Sequence, residues 1–200
     1  MTDRVELIWP TTLGDALRAS THRMVHAVTA TGGAIGYLAP PDRAETDAWL
    51  DGVLADVRTG DAALALAAAE DGSGEVLGCA LWRRRAAVAS HRHSAELQQV
   101  MTQPAARGRG LGRLLVSALI DNARTAGLEL LILGVRGNNH GAIALYEDLG
   151  FREWGRLPSG ISVGDERFDD VRMYLDLGRP ADVVLHGAAA LGAGASRRRA

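Results

Sequence analysis

The chain has 200 residues, of which 47% are hydrophobic, and its formal net charge at pH 7 is -2. This length suits one domain with a sizeable core, and the near-neutral charge gives no general reason to expect binding to nucleic acid or to an anionic membrane. The single cysteine, Cys79, excludes an internal disulfide framework, and neither a leader peptide nor a run of 18 apolar residues is found, so we expect a soluble, cytoplasmic protein.

The first third of the sequence predicts one strand and two helices. Residues 5–9 form the expected strand, which Pro10 ends. Two apolar stripes at helical spacing follow, and the second helix is expected to end at Gly60. The stripes consist of Leu17, Thr21, Met24, Val25 and Val28, and of Trp49, Leu50, Val53, Leu54 and Val57. His22 and His26 lie opposite the first stripe without a third ligand nearby, so we expect no metal site.

The middle of the sequence predicts a hairpin and then a distorted strand. Residues 62–69 and 76–82 flank a turn with the sequence Asp-Gly-Ser-Gly, and Cys79 is expected to fill the core. The next strand, residues 96–102, does not alternate cleanly, because Gln98 and Gln99 both lie between Leu97 and Val100. This spacing predicts a β-bulge.

Residues 103–115 predict a phosphate site between that strand and an amphipathic helix. Glycines there allow backbone N–H groups to point toward one place, where the helix N-terminus adds a partial positive charge and arginines add full charges. The glycines are Gly108, Gly110 and Gly112, the arginines are Arg107, Arg109 and Arg113, and the helix face is Leu111, Leu114, Leu115, Ala118 and Leu119. Neither a Walker A ending nor the third glycine of a dinucleotide fingerprint is present.

A buried strand and a short capped helix come next. Residues 129–135 are nearly all apolar, and Asn139 and Gly150 have the residue types expected at the start and just past the end of a helix. Residues 152–157 and 171–177 predict two further strands, with an acidic loop between them. From residue 179 the sequence is rich in Ala, Gly and Arg, and we expect a disordered tail.

Two of these motifs together resemble the GNAT superfamily of N-acetyltransferases. The first is R-x-x-G-x-G, formed by Arg107, Gly110 and Gly112; the second is N-x-x-A-x-x-L-Y-x-x-x-G-F, formed by Asn139, Ala142, Leu145, Tyr146, Gly150 and Phe151. The resemblance implies an α/β (α+β) domain over residues 1–178. Its mixed sheet would have six to seven strands, with splayed parallel strands at the centre and about four flanking helices.

The resemblance also implies acetyl-CoA as the cosubstrate and a set of site residues. Tyr146 is the expected acid that protonates the departing thiolate, and Glu96 is the candidate base, against the alternative of a solvent-facing strand end or a water chain. A packed helix tyrosine is the alternative for Tyr146. The expected coenzyme contacts are Met101, Thr102, Arg107, Gly108, Arg109, Gly110, Leu111, Gly112 and Asn139.

A closer resemblance is carried by Gly32 and Gly33, by residues 47–56 with Gly60, by Ala95 and Glu96, and by residues 106–113. It covers most of residues 30–177 and is to the tabtoxin-resistance acetyltransferases, which implies a small-molecule amine as acceptor. The chain departs from some of those relatives at residues 133–136, where they carry a second acid. Protein acetylation and a non-catalytic acyl-CoA-binding domain are the alternatives. A homodimer is left open, and neither nucleic acid nor a membrane is expected as a partner.

The resemblance to the GNAT superfamily places the segment between the first two helices over the acceptor cleft. Tyr37 lies there with Asp42, Glu45 and Asp47, and helix capping by Asp42 and Glu45 is an equally weighted alternative. The acids of the later loop, Asp165, Glu166, Asp169 and Asp170, could attract a cationic acceptor or simply be solvated.

Overall fold

A seven-stranded mixed sheet with the order β1-β2-β3-β4-β5-β7-β6 forms the centre of the computed structural model. The structure describes residues 4–33, 36–37 and 39–178, so the expected tail from residue 179 lies outside the described residues. The strands are β1 Val5–Ile8, β2 Ala62–Ala69, β3 Val76–Arg84, β4 Ser94–Thr102, β5 Leu130–Arg136, β6 Arg152–Val163 and β7 Glu166–Asp176. Only β4 and β5 pair in parallel among these strands.

Helices cover both faces of the sheet. They are α1 Asp15–Ala30, α2 Arg43–Thr59, α3 Leu111–Thr125 and α4 His140–Asp148. On one face α1 and α2 bury Met24, Leu50 and Leu54 against β2 and β3. On the other face α3 buries Leu115 and Leu119 in a core that also contains Tyr146 and Phe151. The fold expected from the resemblance is therefore confirmed.

The start of α2 shows how the local sequence fixes a helix boundary. The Glu45 N–H donates to Asp42 Oδ1 over 2.8 Å, and the Asp42 N–H donates to Glu45 Oε2 over 2.8 Å. This reciprocal capping box satisfies two N–H groups that have no partner inside the helix. The capping alternative for these two acids is confirmed.

Asp42→Ala is therefore expected to lower the free energy of unfolding by about 1 kcal/mol, because one N–H group at the start of α2 loses its acceptor. Chemical denaturation measures this loss. Turnover should stay at the wild-type value, since the acid caps a helix. A fall in kcat/KM at unchanged stability would return Asp42 to the acceptor cleft.

Strand β4 contains the predicted bulge. Its register with β3 shifts between Cys79 and Leu81, and Gln99 has a φ of 53°. The buried Cys79 Sγ donates to the Gln99 carbonyl oxygen over 3.7 Å, and burial raises the pKa of this thiol to about 12. Cys79 is thus a core residue that also contacts the bulge.

Beyond its first residues β4 separates from β5. The parallel pairs join Ser94, Ala95 and Glu96 to Leu130, Leu131 and Ile132, and the pairing ends there. The rest of β4 stays paired to β3, as far as Thr102 opposite Gly78. A gap therefore opens between the two central strands toward their carboxyl ends, as expected.

Two expectations were wrong, one about the extent of β6 and β7 and one about the buried face of α3. Residues 158–170, expected as a loop, continue β6 and β7 as a hairpin that turns at Gly164, with an irregularity between Leu157 and Ile161. Leu114, expected on the buried face of α3, is 40% exposed, because that face is centred on Leu115, Val116 and Leu119.

In the described part of the chain, no helix has the length and apolar character required to cross a bilayer.

Candidate active site

A cleft of about 1020 Å³ lies in the gap between β4 and β5. Its walls come from β4, the glycine-rich loop, β5, the start of α4, the end of α1 and the tip of β6. Of the expected site residues it is lined by Met101, Thr102, Arg107, Gly108, Gly110, Leu111, Gly112, Asn139 and Tyr146. Arg109 is exposed on the loop, and neither it nor Glu96 is among the lining residues.

The glycine-rich loop delivers the N-terminus of α3 to the cleft. Gly110 is the N-cap residue with a φ of 79°, and Gly108 has a φ of 77°. The first N–H groups of α3 have no partner within the helix and carry its partial positive charge. Arg107 Nη2 donates to Thr31 Oγ1 over 3.4 Å, which joins the loop to the end of α1. This end of the cleft can bind phosphate oxygens.

Replacing Gly110 with valine is expected to weaken acetyl-CoA binding about tenfold or more. A β-branched residue is strained at positive φ, and we expect its side chain to occupy space that the coenzyme phosphates need. Calorimetry measures the affinity. Gly72→Val is the matched control, because Gly72 has a φ of 81° and equally open surroundings in the β2–β3 turn. Unchanged affinity in a folded Gly110 variant would refute the phosphate site.

The unpaired side of β4 forms one wall of the cleft. Met101 is 3% exposed and packs its side chain into the core under α1 and α2, so its backbone is the part available to a ligand. The ladder between β4 and β5 ends at Glu96, so Met101 and Thr102 are not paired with β5. An extended ligand with amide groups can therefore pair with this edge.

Helix α4 places Tyr146 in the lining of the cleft. Asn139 caps the helix, since its Oδ1 accepts from the Ala142 N–H over 3.3 Å. Gly150 follows the C-cap with a φ of 93°, and the Phe151 N–H donates to the Tyr146 carbonyl oxygen over 2.9 Å. Both caps expected from the sequence are confirmed, and they fix the position of the tyrosine between them.

The Tyr146 side chain is 7% exposed and lies edge to face with Phe151, with ring centroids 5.7 Å apart. Burial raises the pKa of its phenol to about 12. The hydroxyl group is therefore protonated at neutral pH and can act as a hydrogen-bond donor or an acid toward negative charge that develops in the cleft.

Glu96 forms part of a charged row beside the cleft. Its Oε1 lies 3.4 Å from Arg172 Nη1, and Gln98 Nε2 donates to its Oε2 over 3.0 Å. Arg172 also contacts Asp170 Oδ2 through its Nε at 3.0 Å. Its guanidinium lies directly above Gly134 of β5, where a Cβ would come within 3.1 Å of Nη1. Glu96 is thus an ion-paired, partly exposed carboxylate, so its surroundings differ from those of a solvent-facing strand end.

The remaining acids proposed for the acceptor mostly serve the structure. Asp47 forms ion pairs with Arg18 and Arg43. Asp169 pairs with Arg156, while Asp165 and Glu166 are exposed at the hairpin turn. Tyr37, by contrast, lines the cleft as expected.

Sequence reasoning missed two arginines of this region, Arg136 and Arg172. Arg136 ends β5 and lines the cleft, and Arg172 reaches Glu96 from β7. At residues 133–136 the sequence shows only that the second acid of some relatives is missing. No local sequence pattern indicates the contact of Arg172 with Glu96 or that of Arg136 with Phe168, because both depend on how β7 pairs with β5.

Comparison with known proteins gives matches throughout this region. The model of the acetyltransferase (GNAT) family matches residues 24–151. The L-methionine sulfoximine/L-methionine sulfone acetyltransferase of Pseudomonas paraeruginosa is 35% identical over 119 residues, which is 60% of this chain and 65% of that protein. The mycothiol acetyltransferase of Renibacterium salmoninarum is 37% identical over 86 residues, 43% of this chain and 25% of that protein. The chain thus spans less than two thirds of these relatives' length.

Among solved structures, the phosphinothricin acetyltransferase of Sinorhizobium meliloti in complex with acetyl-CoA superposes with a TM-score of 0.73. The two sequences are 20% identical, and the superposition covers 94% of this chain and 95% of that one. At this identity the likeness establishes a shared fold.

Proposed function

Because the chain belongs to the acetyltransferase (GNAT) family, we propose that it transfers an acetyl group from acetyl-CoA to a primary amine of a small molecule. One observation carries the proposal. A single cleft combines the α3 N-terminus with its glycine-rich loop, the unpaired edge of β4 and the buried phenol of Tyr146. These three features suit the phosphates, the amide-bearing arm and the sulfur of acetyl-CoA, respectively.

The proposed coenzyme contacts follow from this arrangement. The loop and the start of α3 bind the pyrophosphate through Arg107, Arg109 and the backbone of residues 108–112. The backbone of Met101 and Thr102 pairs with the pantetheine arm. Asn139 lies at the cleft beside the start of α4 and completes the set.

In the proposed reaction the amine nitrogen attacks the thioester carbonyl carbon directly. The amine must first lose a proton, and Glu96 accepts it, either directly or through a water molecule. A C–N bond forms and the C–S bond breaks, and the nitrogen releases its second proton to solvent as the amide forms. Tyr146 donates its proton to the departing thiolate, which leaves as coenzyme A, and solvent returns a proton to the phenolate.

The nature of the acceptor is supported by the relatives. Relatives named for L-methionine sulfoximine and phosphinothricin act on small molecules, as their names state. We therefore favour a small amine over a protein terminus or a lysine side chain. Cytoplasmic location, a homodimer and the absence of a nucleic-acid partner stay predictions, and the mass in solution tests the dimer.

Thiol release from acetyl-CoA, measured across a panel of small amines and of peptides with free N-termini, tests the function. We expect release with one or more small amines and none with peptides. Release with peptides alone would identify a protein acetyltransferase. Binding of acetyl-CoA without release in any reaction would identify a non-catalytic domain and refute the proposal.

A further inference from the structure

Arg136 is a half-buried cation whose polar atoms are incompletely paired. Its guanidinium lies over the ring of Phe168, 4.7 Å from the centroid, which fixes its plane. Its Nη2 makes a long contact of 3.5 Å to the Gly32 carbonyl oxygen, and its Nε is buried with no hydrogen-bond partner among the described residues. Burying a charged donor in this way is unfavourable, and a ligand oxygen would relieve it.

The charge of the cleft strengthens this observation. Its lining within the described residues contains three arginines and no aspartate or glutamate. Arg113 is paired with Asp148 at 2.7 Å, and Arg107 belongs to the phosphate loop. Arg136 makes no ion pair with any described residue, whereas Arg172 nearby has both Glu96 and Asp170. The cleft therefore offers Arg136 as a cation for a bound anion.

Arg136 also lies on the face of the sheet that carries Glu96. Leu133 and Val135 are buried in the core with α3, so Arg136 projects from the opposite face. Ala95 and Leu97 enter the same core, which places Glu96 on that opposite face too. Glu96 pairs with Ile132, and Arg136 lies four positions further along β5, a distance of about 13 Å. A small acceptor fits between the two positions.

We propose that Arg136 binds an acidic group of the acceptor, a carboxylate or a comparable oxyanion, and so selects amines that also carry an acid. A planar guanidinium held on an aromatic ring suits such a group, because its N–H donors match two oxygens at once. The inference rests on the proposed acetyl transfer and adds the residue that determines acceptor specificity. A coenzyme phosphate offers the same chemistry, so the test must separate the two sources.

The test compares amino acids with their own amides as acceptors, with the amine and the carboxyl separated by one, two or three carbons. We expect the wild type to prefer at least one acid over its amide by about tenfold or more. In Arg136→Gln the kcat/KM for that acid should fall about 10²-fold, mainly through KM, while the value for the amide changes less than about threefold. The KM for acetyl-CoA should not change.

Two variants serve as controls. Arg136→Lys keeps the charge and should restore part of the preference. Arg152→Gln removes an exposed arginine of β6 outside the cleft and should behave as the wild type. Thermal unfolding of each variant confirms that it is folded before its kinetics are compared.

Three outcomes would overturn the inference. They are a wild type that prefers no acid over its amide, a preference that survives in Arg136→Gln, and a rise in the KM for acetyl-CoA with equal losses for acid and amide. The last outcome would assign Arg136 to a coenzyme phosphate. If no amine is acetylated at all, the proposed function fails, and calorimetry of the same amino acids with wild type and Arg136→Gln still decides whether Arg136 binds the acid.

Discussion

We expect Tyr146→Phe to lower turnover about 10²-fold and to leave the fold and the affinity for acetyl-CoA unchanged. Phenylalanine keeps the ring, and with it the edge-to-face contact to Phe151 at 5.7 Å. It removes the hydroxyl group that is placed to protonate the thiolate. Because burial raises the pKa of Tyr146 to about 12, the wild-type phenol holds its proton at every pH near neutrality.

Steady-state kinetics and calorimetry with acetyl-CoA measure the two quantities separately. Tyr174→Phe is the matched control, since Tyr174 lies on β7 and does not line the cleft. Weaker coenzyme binding at unchanged turnover would mean that the hydroxyl group serves binding alone. A variant that fails to fold would mean that Tyr146 is a core residue. Either result removes the acid from the mechanism.

Glu96→Gln is the second change with a large expected effect. If Glu96 accepts the proton of the amine, turnover falls about 10²-fold and the acidic limb of the rate–pH profile disappears. Glutamine keeps the shape of the side chain, but it cannot take the proton and it loses the ion pair with Arg172.

The loss of the ion pair has to be separated from the loss of the base. Asp170→Asn provides the control, because it removes the other acidic partner of Arg172 and leaves Glu96 intact. We expect that variant to keep most of its turnover. Equal losses in the two variants would show that the charged row as a whole matters, and wild-type turnover in Glu96→Gln would move the base to water or to another group.

Much of the site could be predicted because its parts are local in sequence. The caps of α4 depend on Asn139 and Gly150, and the phosphate loop depends on glycines next to the start of α3. The bulge in β4 could be predicted for the same reason, since the two adjacent glutamines interrupt the alternation. In each case the residue type determines the backbone within a few positions.

The parts that could not be predicted depend on distant residues. The hairpin of β6 and β7 is exposed on much of its surface, so its sequence lacks the alternation that marks a half-buried strand. The partners of Arg172 and Arg136 come from β4, from the end of α1 and from β7 itself. Gly134 gives no signal alone, although its missing side chain leaves the space that Arg172 occupies.

The short parallel contact between β4 and β5 has a consequence for how the molecule opens. Three residue pairs join the half of the sheet made of β1–β4 to the half made of β5–β7. The two halves also share the core that packs against α3, but few backbone hydrogen bonds join them, so we expect the second half to open at a lower free energy than global unfolding requires. Amide hydrogen exchange should therefore be faster in β5–β7 than in β2 and β3. Acetyl-CoA in the gap would contact both halves, slow the exchange of β5–β7 and raise the midpoint of thermal unfolding with its concentration.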